Sequence, residues 1–218
     1  MDINILEMVA RGAILFPPFL LALCVHEYAH GWAAKKFGDT TAEDMGRLTL
    51  NPIAHADILG TVVLPLFGLM GGGVLFGWAK PVPVDTRNLK NPRKEMFWIA
   101  FAGPLSNLIM AVFGALAFVL STKYLHVSFS GAVFSMLQFF VIINCVLFVF
   151  NMIPVHPLDG GKILERFIPY KWNQLLEQYQ RQLFIGLMIF LFMGGFTYLA
   201  KPIYGINDLL LNFFSAIV

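Results

Sequence analysis

Six stretches of this chain, about residues 12–34, 58–78, 96–121, 131–153, 183–200 and 203–218, are apolar over most of the length a helix needs to cross a bilayer, which is about 20 residues. Hydrocarbon offers no partner to a backbone N–H or C=O, so a segment of this kind must satisfy its own hydrogen bonds as a helix. The composition agrees: 58% of the 218 residues are hydrophobic and 13% are charged, where soluble domains carry about a quarter charged residues. The mean hydropathy is +0.71. The expected fold is an all-α polytopic membrane protein of five to six hydrophobic segments, the last of them short and carrying Asp208.

The connections are brief and leave no room for an appended soluble domain of about 50 residues. No internal repeat is visible, so residues 1–218 read as one domain, with its motifs within about 20–165 and further hydrophobic segments at about 183–218. A net charge of +2, without a long basic run, excludes nucleic acid as a partner. Arg11 precedes an apolar run as in a secretion signal, but that run continues into His26 without a small-residue cleavage site, which marks a retained segment. Cys24 and Cys145 lie in apolar stretches, and buried free thiols are expected there.

Three connections are rich in Lys and Arg: Lys35, Lys36 and Arg47; Lys80, Arg87, Lys90, Arg93 and Lys94; and Lys162, Arg166 and Lys171. If all three face the cytoplasm, the segment at 58–78 must enter and leave on one side. Pro65, Gly68 and the triplet Gly71-Gly72-Gly73 inside it fit a re-entrant or broken segment. Residues Trp78 to Val84 alternate like a strand, while Pro81 and Pro83 confine such a strand to an edge. An unwound substrate could pair with that edge; an interfacial loop without a partner is the competing reading.

His26 and His30 are four residues apart in the first span, so a helix presents both imidazoles on one face about one turn apart. Glu27 lies about 100° further round, where it can reach a water on a metal held by the two histidines without binding that metal, the arrangement of His-Glu-x-x-His zinc sites. A carboxylate within a spanning helix costs at least about 2.5 kcal/mol. A role limited to pairing Glu27 with a neighbouring histidine or lysine would explain the acid but not the spacing of the histidines.

A catalytic zinc site normally has three protein ligands and one open position. The candidate third ligand is Asp159, in the segment from Asn151 to Gly161 that closes the fourth span. Pro154 and Pro157 loosen the helix and Gly160-Gly161 permit a turn, which places Asp159 on unwound backbone at a membrane edge or in a cavity. An Asp before two glycines is also a common turn residue, and the residues alone leave both roles open.

Several segments together resemble the small bacterial and archaeal members of the site-2 protease family. They are His-Glu-Tyr-Ala-His at 26–30 followed by Phe-Gly-Asp at 37–39, Asn-Pro-Ile-Ala-His-Ala-Asp at 51–57, Gly-Trp-Ala-Lys-Pro-Val-Pro-Val at 77–84, Ala-Gly-Pro-Leu-Ser-Asn at 102–107, and Asn151 to Gly161. The resemblance covers about residues 20–165 in order. It implies an intramembrane zinc metalloprotease of a prokaryotic cytoplasmic membrane, with one zinc ion per chain held by His26, His30 and Asp159. It further implies Glu27 as general base and acid toward a zinc-activated water, and Asn151 as a group that holds substrate or the oxyanion. The implied partners are the lipid bilayer and a single-pass membrane protein or membrane peptide as substrate.

His156 stands where the family often has proline. A hydrogen-bond partner of a metal ligand or a surface residue at the helix end is favoured over a fourth ligand, because four protein ligands would close the site. His55 falls outside the metal motifs and suits a capping or interfacial role. The PDZ and CBS domains of larger relatives have no counterpart in these residues. The rival function is a transporter or ion carrier that uses intramembrane histidines and acids as a relay; an inactive relative that binds without cutting is the third reading.

Overall fold

A computed structural model describes residues 5–70, 77–124 and 131–218. The Gly71-Gly72-Gly73 triplet lies outside the described residues, so the break expected there is not among the observations. Helix α1 runs Ile5–Lys36 and contains Pro17 and Pro18. Its end is set by Phe-Gly-Asp: Gly38 has φ +103°, a conformation that favours glycine. The Gly38 and Asp39 amides donate to the carbonyls of Lys35 (3.1 Å) and Ala34 (3.0 Å), the paired bonds of a Schellman motif. Two single turns follow, α2 (Thr41–Asp44) and α3 (Pro52–His55), then a π-helical stretch Ile58–Val63 that leads into α4 (Leu64–Met70).

Residues 77–85 carry neither helix nor strand and form a strap that ends at a short turn, Thr86–Asn88. The strand-like edge expected at Trp78 to Val84 is therefore corrected: no strand occurs among the described residues, because the strap's amides go to loop and helix groups instead of a neighbouring strand. Trp78 N–H donates to the Gly60 carbonyl (3.1 Å) and Lys80 N–H to the His55 carbonyl (2.8 Å).

The long helices α5 (Pro92–Tyr124) and α6 (Ala132–Asn151) follow, then α7 (Asp159–Glu165), α8 (Tyr170–Gln178), α9 (Gln180–Phe190) and α10 (Phe196–Ile217). Among the described residues, four helical runs are long and apolar enough to cross a membrane: Leu6–Lys36, Pro92–Tyr124, Ala132–Asn151 and Gln180–Ile217; Ile58–Met70 is apolar but shorter. The two C-terminal segments read from the sequence join into one run. Its break falls at Leu191–Gly195, where Gly194 has φ 102°, and Pro202 sits inside α10 without ending it.

Helices α1, α5 and α6 form the core, packed in antiparallel sequence. His26 and His30 of α1 meet Asn107 and Ile99 of α5 respectively, and Asn107 and Gly114 of α5 meet Asn144 and Phe140 of α6. The C-terminal end of α1, the N-terminal end of α5 and the C-terminal end of α6 therefore lie on one side. Small residues permit the close approach: Ala111 and Ala115 pack with Val141, Cys145 and, from α10, Ile203 and Phe214. With little hydrophobic drive between helices in lipid, such fit supplies the association. Both cysteines are free and buried.

Candidate metal centre

The helical spacing of His26 and His30 does what the sequence suggests. Their rings meet edge to face with centroids 4.6 Å apart, and their Nε2 atoms are 3.0 Å apart. Asp159 Oδ2 lies 3.2 Å from His26 Nε2 and 3.3 Å from His30 Nε2, so residues 26, 30 and 159 come together in one group.

Asp159 opens the first turn of α7 and is not on unwound backbone; the irregular chain is the segment just before it, residues 152–158. Its glycines serve contact more than turning. A β-carbon at Gly160 would stand 2.5 Å from the Met152 carbonyl oxygen and 2.6 Å from the Ile153 carbonyl carbon, and one at Gly161 would stand 2.7 Å from the His156 nitrogen. Only residues without a side chain let α7 press onto the end of α6 and aim Asp159 inward.

The outer nitrogens of both imidazoles are fixed. His30 Nδ1 is 2.7 Å from the Ile99 carbonyl oxygen, which can only accept, so Nδ1 carries a proton. His26 Nδ1 is 2.6 Å from Asn107 Oδ1, and the Asn107 amide donates to the Ala22 carbonyl (3.2 Å) and to Asn144 Oδ1 (2.9 Å). With its nitrogen so engaged, Asn107 turns its oxygen to His26, and His26 also donates from Nδ1. In the neutral rings both Nε2 atoms then present lone pairs to the same point as Asp159 Oδ2, a buried oxygen without a hydrogen-bond partner. Three converging acceptors repel one another unless a cation or protons lie between them. Ligands at about 2.0–2.1 Å from a tetrahedral zinc ion are roughly 3.3 Å apart, so the observed 3.0, 3.2 and 3.3 Å fit zinc. Gly103 makes the space: a β-carbon there would lie 2.7 Å from His26 Cε1 and closer still to His30 Nε2.

A cavity of about 150 Å³ opens on this group, lined by Glu27, Asn151 and Lys162 among others, with Val82, Val84 and Met96 on its apolar side. Glu27 Oε2 accepts a hydrogen bond from the Val82 backbone amide at 2.7 Å. Asn151 Nδ2 donates to the Leu147 carbonyl at 3.0 Å and keeps its second hydrogen. His156 is buried, does not line the cavity, and has Nε2 3.1 Å from Glu165 Oε1. His55 is buried as well and has Nε2 2.7 Å from the Thr49 carbonyl.

Sequence reasoning missed Asn107, Asn144 and Gly103 as parts of the centre. Two fully buried asparagines facing each other inside apolar spans were the available signal, since uncharged polar groups there bond across helices.

Comparison with known proteins follows the same residues. The family model described as peptidase family M50 matches residues 15–133 and 125–195. The chain is 37% identical over 202 residues to a Bacillus subtilis protein named "Putative zinc metalloprotease YwhC", covering 91% of this chain and 89% of that one. It is 30% identical over 161 residues to the Mycolicibacterium smegmatis protein named "Putative zinc metalloprotease Rip2", covering 73% of this chain and 59% of the relative. It is 26% identical over 163 residues to the Methanocaldococcus jannaschii protein named "Zinc metalloprotease MJ0392", covering 75% of this chain and 37% of the relative. No solved structure matches the chain.

Proposed function

The chain belongs to peptidase family M50, the site-2 protease family, and from that premise we propose that this membrane zinc metalloprotease cuts peptide bonds of membrane-spanning substrate helices, with His26, His30 and Asp159 holding one zinc ion and Glu27 moving the proton. The observation that carries the reading is the convergence of two imidazole lone pairs and one unpartnered carboxylate oxygen. Zinc bound there supplies Lewis acidity toward a carbonyl and toward water, whose pKa falls to about 7. Glu27, in the same cavity, takes a proton from the attacking water and returns it to the leaving amine. The spare hydrogen of Asn151 Nδ2 is available to the carbonyl oxygen of the scissile bond.

Depth supports an intramembrane reaction. His26 and His30 precede Lys36, the end of α1, by ten and six residues, or about 15 and 9 Å of helix. Water reaches that depth through the cavity, which has room for several molecules. The basic residues flanking α1, α5 and α7 gather on the side shared by the centre, which we assign to the cytoplasm of a prokaryote. Residues 37 and 91 then lie on that same side. Ile58–Met70, 13 residues or about 20 Å of helix, falls short of a hydrocarbon thickness of about 30 Å, which favours a re-entrant segment. Residues 1–218 act as one proteolytic domain.

The test is zinc per chain and cleavage of a membrane-spanning peptide by detergent-purified protein. Glu27→Gln is expected to keep zinc and lose turnover, and Asp159→Ala to lose zinc. Stoichiometric zinc in Asp159→Ala would remove the third ligand.

A further inference from the structure

The Trp78, Lys80 and Val82 amides of the strap, at alternate positions, each bond a group outside it. The first two bond the Gly60 and His55 carbonyls; the third bonds Glu27 Oε2 at 2.7 Å, across 55 residues of sequence. Pro81 and Pro83 have no amide hydrogen, so Val82 is the single backbone donor of the stretch 81–83. Glu27 Oε1 has no hydrogen-bond partner among the described residues.

We propose that the Val82 backbone amide is a positioning group for Glu27, holding one carboxylate oxygen so that the other is free to exchange a proton at the metal centre. The inference rests on reading Glu27 as the acid–base group and adds what aims it. A general base must lie within about 2.6–3.2 Å of the atom whose proton it takes. A glutamate adjacent to a metal-binding histidine, left untethered, can instead swing onto the cation and fill the open position a catalytic site needs. The Val82 amide opposes that motion.

The strap is braced for the task on both sides of Val82. Arg47 donates to the Lys80 carbonyl at 2.8 Å, and the Asp85 amide donates to Asp39 Oδ2 at 2.8 Å. Between these anchors Val82 is 9% exposed and lies against Gly31, where a β-carbon would come within 3.1 Å of Val82 Cγ1. Gly31 follows His30 directly, so the turn of α1 that supplies the second histidine also seats the strap.

The experiment compares Val82→Pro, which deletes the amide hydrogen in a stretch already extended by prolines, with Val82→Thr, which keeps both hydrogen and shape. The readouts are zinc content, kcat and KM on a synthetic membrane-spanning peptide. Val82→Pro is expected to lose about 10²-fold in kcat with zinc retained, and Val82→Thr, which keeps the amide, to lose at least about tenfold less kcat than Val82→Pro. Independently of activity, hydrogen exchange of the ¹⁵N-labelled Val82 amide in metal-free protein is expected to be at least about tenfold faster in Glu27→Ala than in wild type. Equal turnover in Val82→Pro and Val82→Thr, or equal exchange in Glu27→Ala and wild type, overturns the proposal. If Val82→Pro does not fold, the exchange comparison decides alone. Full turnover in Glu27→Gln would instead sink the acid–base reading beneath it.

Discussion

His26 Nδ1 and Asn107 Oδ1 face each other at 2.6 Å, and that contact links the candidate metal centre to all three core helices. Asn107 is itself oriented by Ala22 of α1 and Asn144 of α6, and Asn144 is held by the Phe140 carbonyl at 2.8 Å. The tautomer of one histidine is therefore decided by an amide chain through α5 and α6.

Asn107→Leu removes the acceptor that keeps the His26 proton on Nδ1, and zinc affinity should fall about 10–100-fold. It also strands the Asn144 oxygen, at about 1–3 kcal/mol of stability. Asn144→Leu leaves His26 its acceptor and should spare zinc relative to Asn107→Leu. Chelator competition on the two purified variants checks this, and equal zinc retention would contradict the relay.

Gly103→Ala should act in the opposite sense on fold and site. Alanine normally gains about 0.5–1 kcal/mol over glycine in a helix, but here its methyl group would enter the space of the two imidazoles. Zinc should be lost with the helices intact. Gly205→Ala in α10, with nothing within 4 Å of the added carbon, is the control and should stabilise by about 0.4–1 kcal/mol. Comparing zinc content with melting temperature across the two separates blocked site from damaged fold.

The face carrying His26 and His30 was legible because a four-residue spacing has one meaning on a helix. Asp159 was visible only through its motif, since an acid before two glycines also reads as a turn; the contact of Gly160 and Gly161 with residues 152–156 depends on how α7 returns to α6, which no local pattern encodes. The Val82 amide was invisible for a different reason: a backbone donor leaves no trace in the side-chain alphabet, and the prolines on either side signalled only an edge. The C-terminal run was divided in the wrong place because Gly194 with its positive φ breaks the helix within an unbroken apolar stretch, where hydropathy is blind.

Gly160→Ala should weaken zinc binding while leaving the histidine pair in place. The added carbon would press on the Met152 and Ile153 backbone, which cannot yield as a flexible side chain would, so α7 must lift and carry the Asp159 carboxylate away from both Nε2 atoms. Zinc titration should show an affinity loss of about tenfold or more, and a variant with wild-type affinity would mean that α7 adapts.

The Asp39 carboxylate ties the end of α1 to the strap and gives stability a defined acid dependence. It is fully buried, and burial alone would raise its pKa. Donors outweigh that: Thr41, Asn88 at 2.8 Å and the Asp85 amide at 2.8 Å hold it below the ordinary carboxylate value. A group whose folded value is depressed contributes fully above its unfolded value, near about 4, and loses that contribution as pH falls through the folded value. Asp39→Asn keeps the shape but replaces an acceptor oxygen with a donor, so at pH 7 it should be less stable by about 1–3 kcal/mol. Since the variant has no proton to take up at this position, the gap between the two proteins should narrow below about pH 4. Melting temperatures of both in detergent, from pH 7 down to the acid limit of the fold, measure it; a gap that stays constant would mean the carboxylate at 39 does not hold the strap.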